Sequence, residues 1–191
     1  MKRKNLTIIL IVILLLVVFY FLFSNISNKR TRSAEPETLQ EGGVEMKITS
    51  SAFLNNEKIP SKYTCDGENI NPQLSIYGVP GDAKSIVLIV DDPDAPGGDW
   101  VHWLIWNIPP ETKEILENNV PENAVVGKND FGNNNYGGPC PPSGTHHYHF
   151  KVYALDKILE LPDSSRKSEL LKEIQGHVID KTELIGVYSR D

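Results

Sequence analysis

Three stretches hold the side chains able to do acid–base, anion-binding or metal chemistry. The first is Asp91-Asp92-Pro93-Asp94-Ala95-Pro96, which follows an apolar run. Carboxylates at a strand's end can be gathered into a cleft, although Asp and Pro are also ordinary turn residues. The second is Asp99-Trp100-Val101-His102-Trp103. On a strand over 100–108, Trp100, His102, Leu104 and Trp106 share one face, and Val101, Trp103 and Ile105 the other. His102 then sits between indoles, as a satisfied core histidine or a functional one. The third runs from Gly137 through Pro139, Cys140, Pro141 and Pro142 to His146-His147-Tyr148-His149. Parity puts His147 and His149 on one face, the spacing by which a strand offers two ligands to zinc. It puts His146 and Tyr148 on the other, where they and His102 suit a phosphate-type anion. A protonated imidazole is a charge-assisted donor and a phenol a neutral one. Asp92 fits if it orients and charges a histidine, or accepts from a singly protonated phosphate or a head-group amine. A hydrolase would instead use Asp92 with His102 or His146 as its acid–base pair. No Gly-x-Ser-x-Gly elbow is present, and triad partners assemble in space, not in sequence. Parity does not say which face turns inward.

The elements that must position these residues are mostly strands. Residues 46–53 alternate, 73–77 are short and β-like, and 85–90 read as a buried strand. Residues 100–108 close on Pro109-Pro110, and 147–155 form a third long strand. Only 165–174 has a helical pattern, with Leu170, Leu171 and Ile174 on one side. Residues 183–188 return as a final strand, or the region from His177 holds a short second helix. Eight of the thirteen prolines lie between Asp91 and Pro142, so irregular loops join the strands there. Strands followed by late helix give a β-rich α+β class.

Outside this domain, 6–23 is an eighteen-residue run without a charge, flanked by Lys2, Arg3 and Lys4 and by Lys29, Arg30 and Arg32. It reaches the length that spans a bilayer and lacks a small-residue cleavage site. The expected plan is an anchor over 1–23, a polar tether over 24–45 and a domain over 46–191. The flanking charges do not orient the segment. The short N-terminal tail places the domain outside a single-pass cell membrane anchor. Residues 46–191 carry 13 basic against 21 acidic residues. No basic surface is available for phosphate backbones, which argues against nucleic acid as a partner. Two cysteines, Cys65 and Cys140, both in turn contexts, are disulfide candidates in an exported domain. Two free thiols are the other reading.

Taken together, the three stretches resemble the phosphatidylethanolamine-binding protein family, also called Raf kinase inhibitor proteins, and its prokaryotic branch most closely. The family's Asp-Pro-Asp-Ala-Pro stands as Asp92-Pro93-Asp94-Ala95-Pro96 and its Trp-x-His as Trp100-Val101-His102. Its Gly-Pro-x-Pro-Pro-x-Gly-x-His-Arg-Tyr stands as the eleven residues from Gly138 to Tyr148, with His147 where arginine is usual. The resemblance covers 46–191. It implies a β-sandwich with C-terminal helices and a surface pocket for phosphate-bearing small molecules or phospholipid head groups. By position, the pocket would hold Asp92, Asp94, Trp100, His102, Pro142, His146 and Tyr148. It implies a binding protein without cofactor or catalytic residue, acting on such a ligand or on a partner protein that presents one. The kinase inhibition of eukaryotic relatives does not follow from fold.

Overall fold

The structure is a computed structural model that describes residues 45–190 together with 16, 17, 19 and 20. The chain divides into two units, 1–42 and 43–191. In the first, Leu16, Val17, Phe19 and Tyr20 are helical and exposed. The rest of the expected anchor at 6–23 lies outside the described residues. Among the described residues, no helix is long and apolar enough to cross a membrane. The expected fold class is corrected accordingly: the described residues form a β-rich fold with no membrane-spanning helix among them.

Among the described residues, the second unit is built from nine strands and one α-helix, in two sheets. The smaller holds β1 (Lys47–Ser50), β3 (Leu74–Tyr77) and β6 (Glu114–Ile115), in the order β1-β3-β6. The larger holds β2 (Glu57–Lys58), β4 (Ser85–Asp92), β5 (Trp100–Ile108), β7 (Val125–Val126), β8 (Thr145–Leu155) and β9 (Val178–Ser189). Its order is β2-β9-β8-β4-β5-β7, antiparallel except for the short β2–β9 pair. Ile48, Leu74, Ile76 and Ile115 of the small sheet meet Ile86, Leu88, Val90, Phe150 and Val152 of the large one in the main core. The opposite face of the large sheet exposes Val87, Ile89, Leu104 and Trp106, which pack with Leu170 and Ile174 of α1 (Lys167–Ile174). The layers are thus small sheet, large sheet and helix.

β4 is apolar on both faces because it is covered on both, and every residue of it is buried. Its last two residues are acidic, and period-2 alternation sends them to opposite faces. Asp91 goes to the helix side, where Lys151 and Lys167 pair with it. Asp92 goes to the other.

Two expectations are corrected. The first concerns C-terminal helices in the plural. After α1 the chain turns at Gly176, whose φ of 81° is left-handed, and then runs as β9 along the full length of β8. Alternate burial of Leu184, Gly186 and Tyr188 makes strand, not helix, the conformation that satisfies this segment. The second concerns the two faces of β5. The pairing jumps from Val90↔Trp103 to Asp91↔Val101, leaving His102 as an extra, bulged residue. Val101 therefore lies with Leu104 and Trp106 on the helix side, whereas Trp103, Ile105 and Ile108 face the main core. A second shift beside Asn107, φ 56°, restores the pairing at Ile86↔Ile108.

Candidate functional site

Three adjacent strands of the large sheet, β8, β4 and β5, end or begin at the same edge of the molecule. They deliver His146, Asp92 and the pair Trp100 and His102 to a pocket of about 320 Å³. Loops complete the wall with Ala95, Pro96 and Gly97, with Phe131, and with Cys140, Pro141 and Pro142. A larger cleft of about 790 Å³ beside Ile76, Val79 and Pro110 gathers no histidine and no buried ionisable side chain. The smaller pocket is the one that brings two histidines and a buried carboxylate together.

Asp92 and His146 form a buried pair. The Nδ1–H of His146 donates to Asp92 Oδ2 at 2.7 Å, and the other carboxylate oxygen accepts the backbone N–H of Asp94 at 2.9 Å. The carboxylate thus fixes the ring and leaves Nε2 as its remaining polar atom. His102 is held differently. Its Nδ1–H donates to the Gly137 carbonyl at 2.6 Å. Burial pushes its pKa below the ordinary histidine value, and the hydrogen bond to Gly137 and the nearby carboxylates only partly oppose this. His102 is therefore neutral at pH 7, a condition the sequence did not reveal.

Tyr148 is fully buried, its ring 5.1 Å from that of His102 and 6.5 Å from that of His146. It sits behind the imidazoles and does not itself line the pocket. Burial, and then the charge of Asp92, push its pKa up, so the phenol keeps its proton. Its hydroxyl lies near the Asp92 carboxylate and the Cys140 backbone.

Asp94 stands outside the pocket. Its Oδ2 accepts both the backbone N–H and the Nδ1–H of His147, at 2.9 and 2.7 Å. The bond from the His147 ring is the main cause of its lowered pKa. His149 is likewise occupied, 2.7 Å from Glu183. The two outward histidines are thus taken by separate carboxylates. Among the described residues no cluster of three His, Cys, Asp or Glu could hold a metal. His146 and Tyr148 are the inward pair. Cys65 and Cys140 are joined in a disulfide with Cα atoms 5.4 Å apart, so neither is a free nucleophile for a hydrolase.

Sequence reasoning missed Phe131, Ala95, Pro96 and Gly97 as wall residues. Phe131, 45% exposed, meets Trp100 and His102 edge-on, with centroids 5.5 and 5.4 Å away. The available signal was a lone aromatic within Lys128-Asn129-Asp130-Phe131-Gly132-Asn133, an otherwise polar loop. Gly137 lies under that ring, and a Cβ there would come within 2.5 Å of Phe131.

The sequence profile of the family described as phosphatidylethanolamine-binding protein matches residues 49–189. A UPF0098 protein of Methanothermobacter thermautotrophicus is 50% identical over 150 residues, spanning 76% of this chain and 99% of its own. One of Pyrococcus horikoshii is 52% identical over 161 residues, spanning 78% and 81%. Among solved structures, a phosphatidylethanolamine-binding protein homologue of Chlamydia trachomatis, CT736, aligns with TM-score 0.74 at 42% identity, over 77% of this chain and 99% of that one. YbcL of E. coli, described as a new member of the mammalian PEBP family, aligns at 0.73 and 33% identity, over 78% and 100%.

Proposed function

The chain belongs to the phosphatidylethanolamine-binding protein family, and on that premise we propose that it is a binding protein, not an enzyme, whose 320 Å³ pocket takes a phosphate-type anion such as a phosphomonoester or a phosphorylated head group. The observation that carries this reading is the Asp92–His146 pair beside His102, two imidazoles at one sheltered cavity. Each ring already spends Nδ1 on a fixed acceptor. A proton on Nε2 turns either ring into a charge-assisted donor, and the apolar wall of Trp100, Phe131 and Pro142 keeps water from weakening that contact. Asp92 balances the charge of a protonated pair, which suits a singly charged ligand better than a dianion. The Tyr148 hydroxyl lies beside the same groups.

The test is titration of four single variants with a phosphomonoester by calorimetry. His146→Ala and His102→Ala remove a charge-assisted contact in a sheltered place. Each should weaken binding about 10- to 150-fold, or roughly 1.5–3 kcal/mol. His147→Ala and His149→Ala should stay within about twofold, because alternation points them away. Loss of binding in the second pair alone would overturn the assignment.

A further inference from the structure

We propose that Lys167, at the start of α1, is a positioning residue for the pocket, holding its 93–99 wall from behind the sheet. This rests on the pocket reading above. The ammonium of Lys167 bridges Asp91 and Asp99. Each of these is one residue before a pocket residue, Asp92 and Trp100, which face one another in the β4–β5 ladder. One cation thus ties together the two strands and the loop between them at the point where they open into the pocket.

The segment just before Lys167 holds the other wall. The Ser165 carbonyl accepts the Lys128 N–H at 2.9 Å, and the Asp163 carbonyl accepts from the Asn134 amide. Arg166 pairs with Asp130 Oδ1 at 3.3 Å, while Asp130 Oδ2 takes the Val101 N–H at 2.8 Å. These bonds fix the loop that carries Phe131 and, at its end, the Gly137 carbonyl on His102. Residues 163–167 therefore clamp both loops against β5 without touching the cavity. Burial works against the Lys167 charge, but its bonds to Asp91 and Asp99 outweigh this and hold its pKa above the ordinary lysine value. Lys151 also pairs with Asp91, so removing Lys167 does not leave that buried carboxylate alone, and the fold should survive.

The experiment uses the full chain, with inorganic phosphate as probe for calorimetry and the His102 and Trp100 ring resonances read by NMR. Lys167→Met should weaken phosphate about 5- to 50-fold, the scale of a displaced binding group, and shift both resonances. Asp99→Asn, which touches only the exposed arm, should move both readouts in the same direction by less. Lys167→Arg should restore affinity to within about twofold of wild type. Lys157→Met, which breaks the ion pair that Lys157, after β8, makes with Glu173 of the same helix, should change neither readout even where it lowers the melting temperature. Unshifted His102 and Trp100 resonances in Lys167→Met, whatever the affinity, would overturn the clamp. Failure of wild-type protein to take up phosphate would overturn the pocket reading instead, and the resonances would still decide the clamp.

Discussion

At the scale of the residue, His102 is the group whose environment most constrains its behaviour. It is buried, neutral at pH 7 and has a depressed pKa. The unfolded chain binds a proton near the ordinary value of about 6.5, and the folded chain resists it until lower pH. Stability from this group is therefore fully present above pH ~6.5 and is lost as pH falls towards the folded value. Chemical denaturation at a series of pH values should show wild type losing more stability than His102→Gln between about pH 7 and 5; equal losses would contradict the burial argument. The same depression gives ligand binding a sign. An anion that draws a proton onto the imidazole must bind more weakly as pH rises, and with net proton uptake. Sulfate, which does not itself titrate in this range, is the clean probe, and calorimetry in buffers of different ionisation enthalpy reads the uptake. The side of the sheet on which His146 and Tyr148 stand was open from sequence, since period-2 alternation fixes which residues share a face but not which face is inward. The hydrogen bond from His102 to Gly137 was not legible, because it joins residues 35 apart.

At the scale of the element, the central strands were the most legible. β4 is a continuous apolar run, β5 an aromatic one bounded by glycines and prolines, and β8 alternates over eleven residues. Their offsets were not legible. The bulge at His102 depends on pairing with β4, and no local pattern announces it. The final strand was ambiguous for a related reason: its buried positions answer to β8, not to its own neighbours. The pocket loop after Gly137 is held by pairings equally remote in sequence. Tyr136 donates to the Tyr63 carbonyl, the Asn69 side chain accepts the Gly138 N–H, and the disulfide ties Cys140 to Cys65 across a separation of 75 residues. Closing a loop of that length stabilises by about 4 kcal/mol on the chain-entropy account, near the upper end for such bonds. Denatured, unreduced protein should show no free thiol. Cys65→Ala with Cys140→Ala should lower stability by about 2–4 kcal/mol and weaken phosphate binding, because Cys140 is part of the wall. An unchanged affinity in the folded double variant would mean that the remaining hydrogen bonds suffice to hold the loop.

At the scale of the whole molecule, both hydrophobic clusters are, among the described residues, built from residues between Met46 and Tyr188. A protein starting near residue 44 should therefore unfold cooperatively and bind phosphate like the full chain, as denaturant titration and calorimetry of the two would show. Phe150, fully buried between the sheets against Phe53, is the natural test of their joint core: Phe150→Ala should cost about 3–5 kcal/mol. The layered body keeps three strand ends in register, and loops fixed from behind by α1 give the pocket its walls. The central claim is that this pocket, and not the outward histidine face, holds a phosphate-type anion. The most direct measurement is a crystal structure of the protein soaked with a phosphomonoester. The account predicts phosphate density in the pocket within hydrogen-bond reach of a His146 or His102 ring nitrogen, absent from crystals of His146→Ala. Density only beside His147 and His149, or an empty pocket at concentrations that saturate binding in solution, would contradict it.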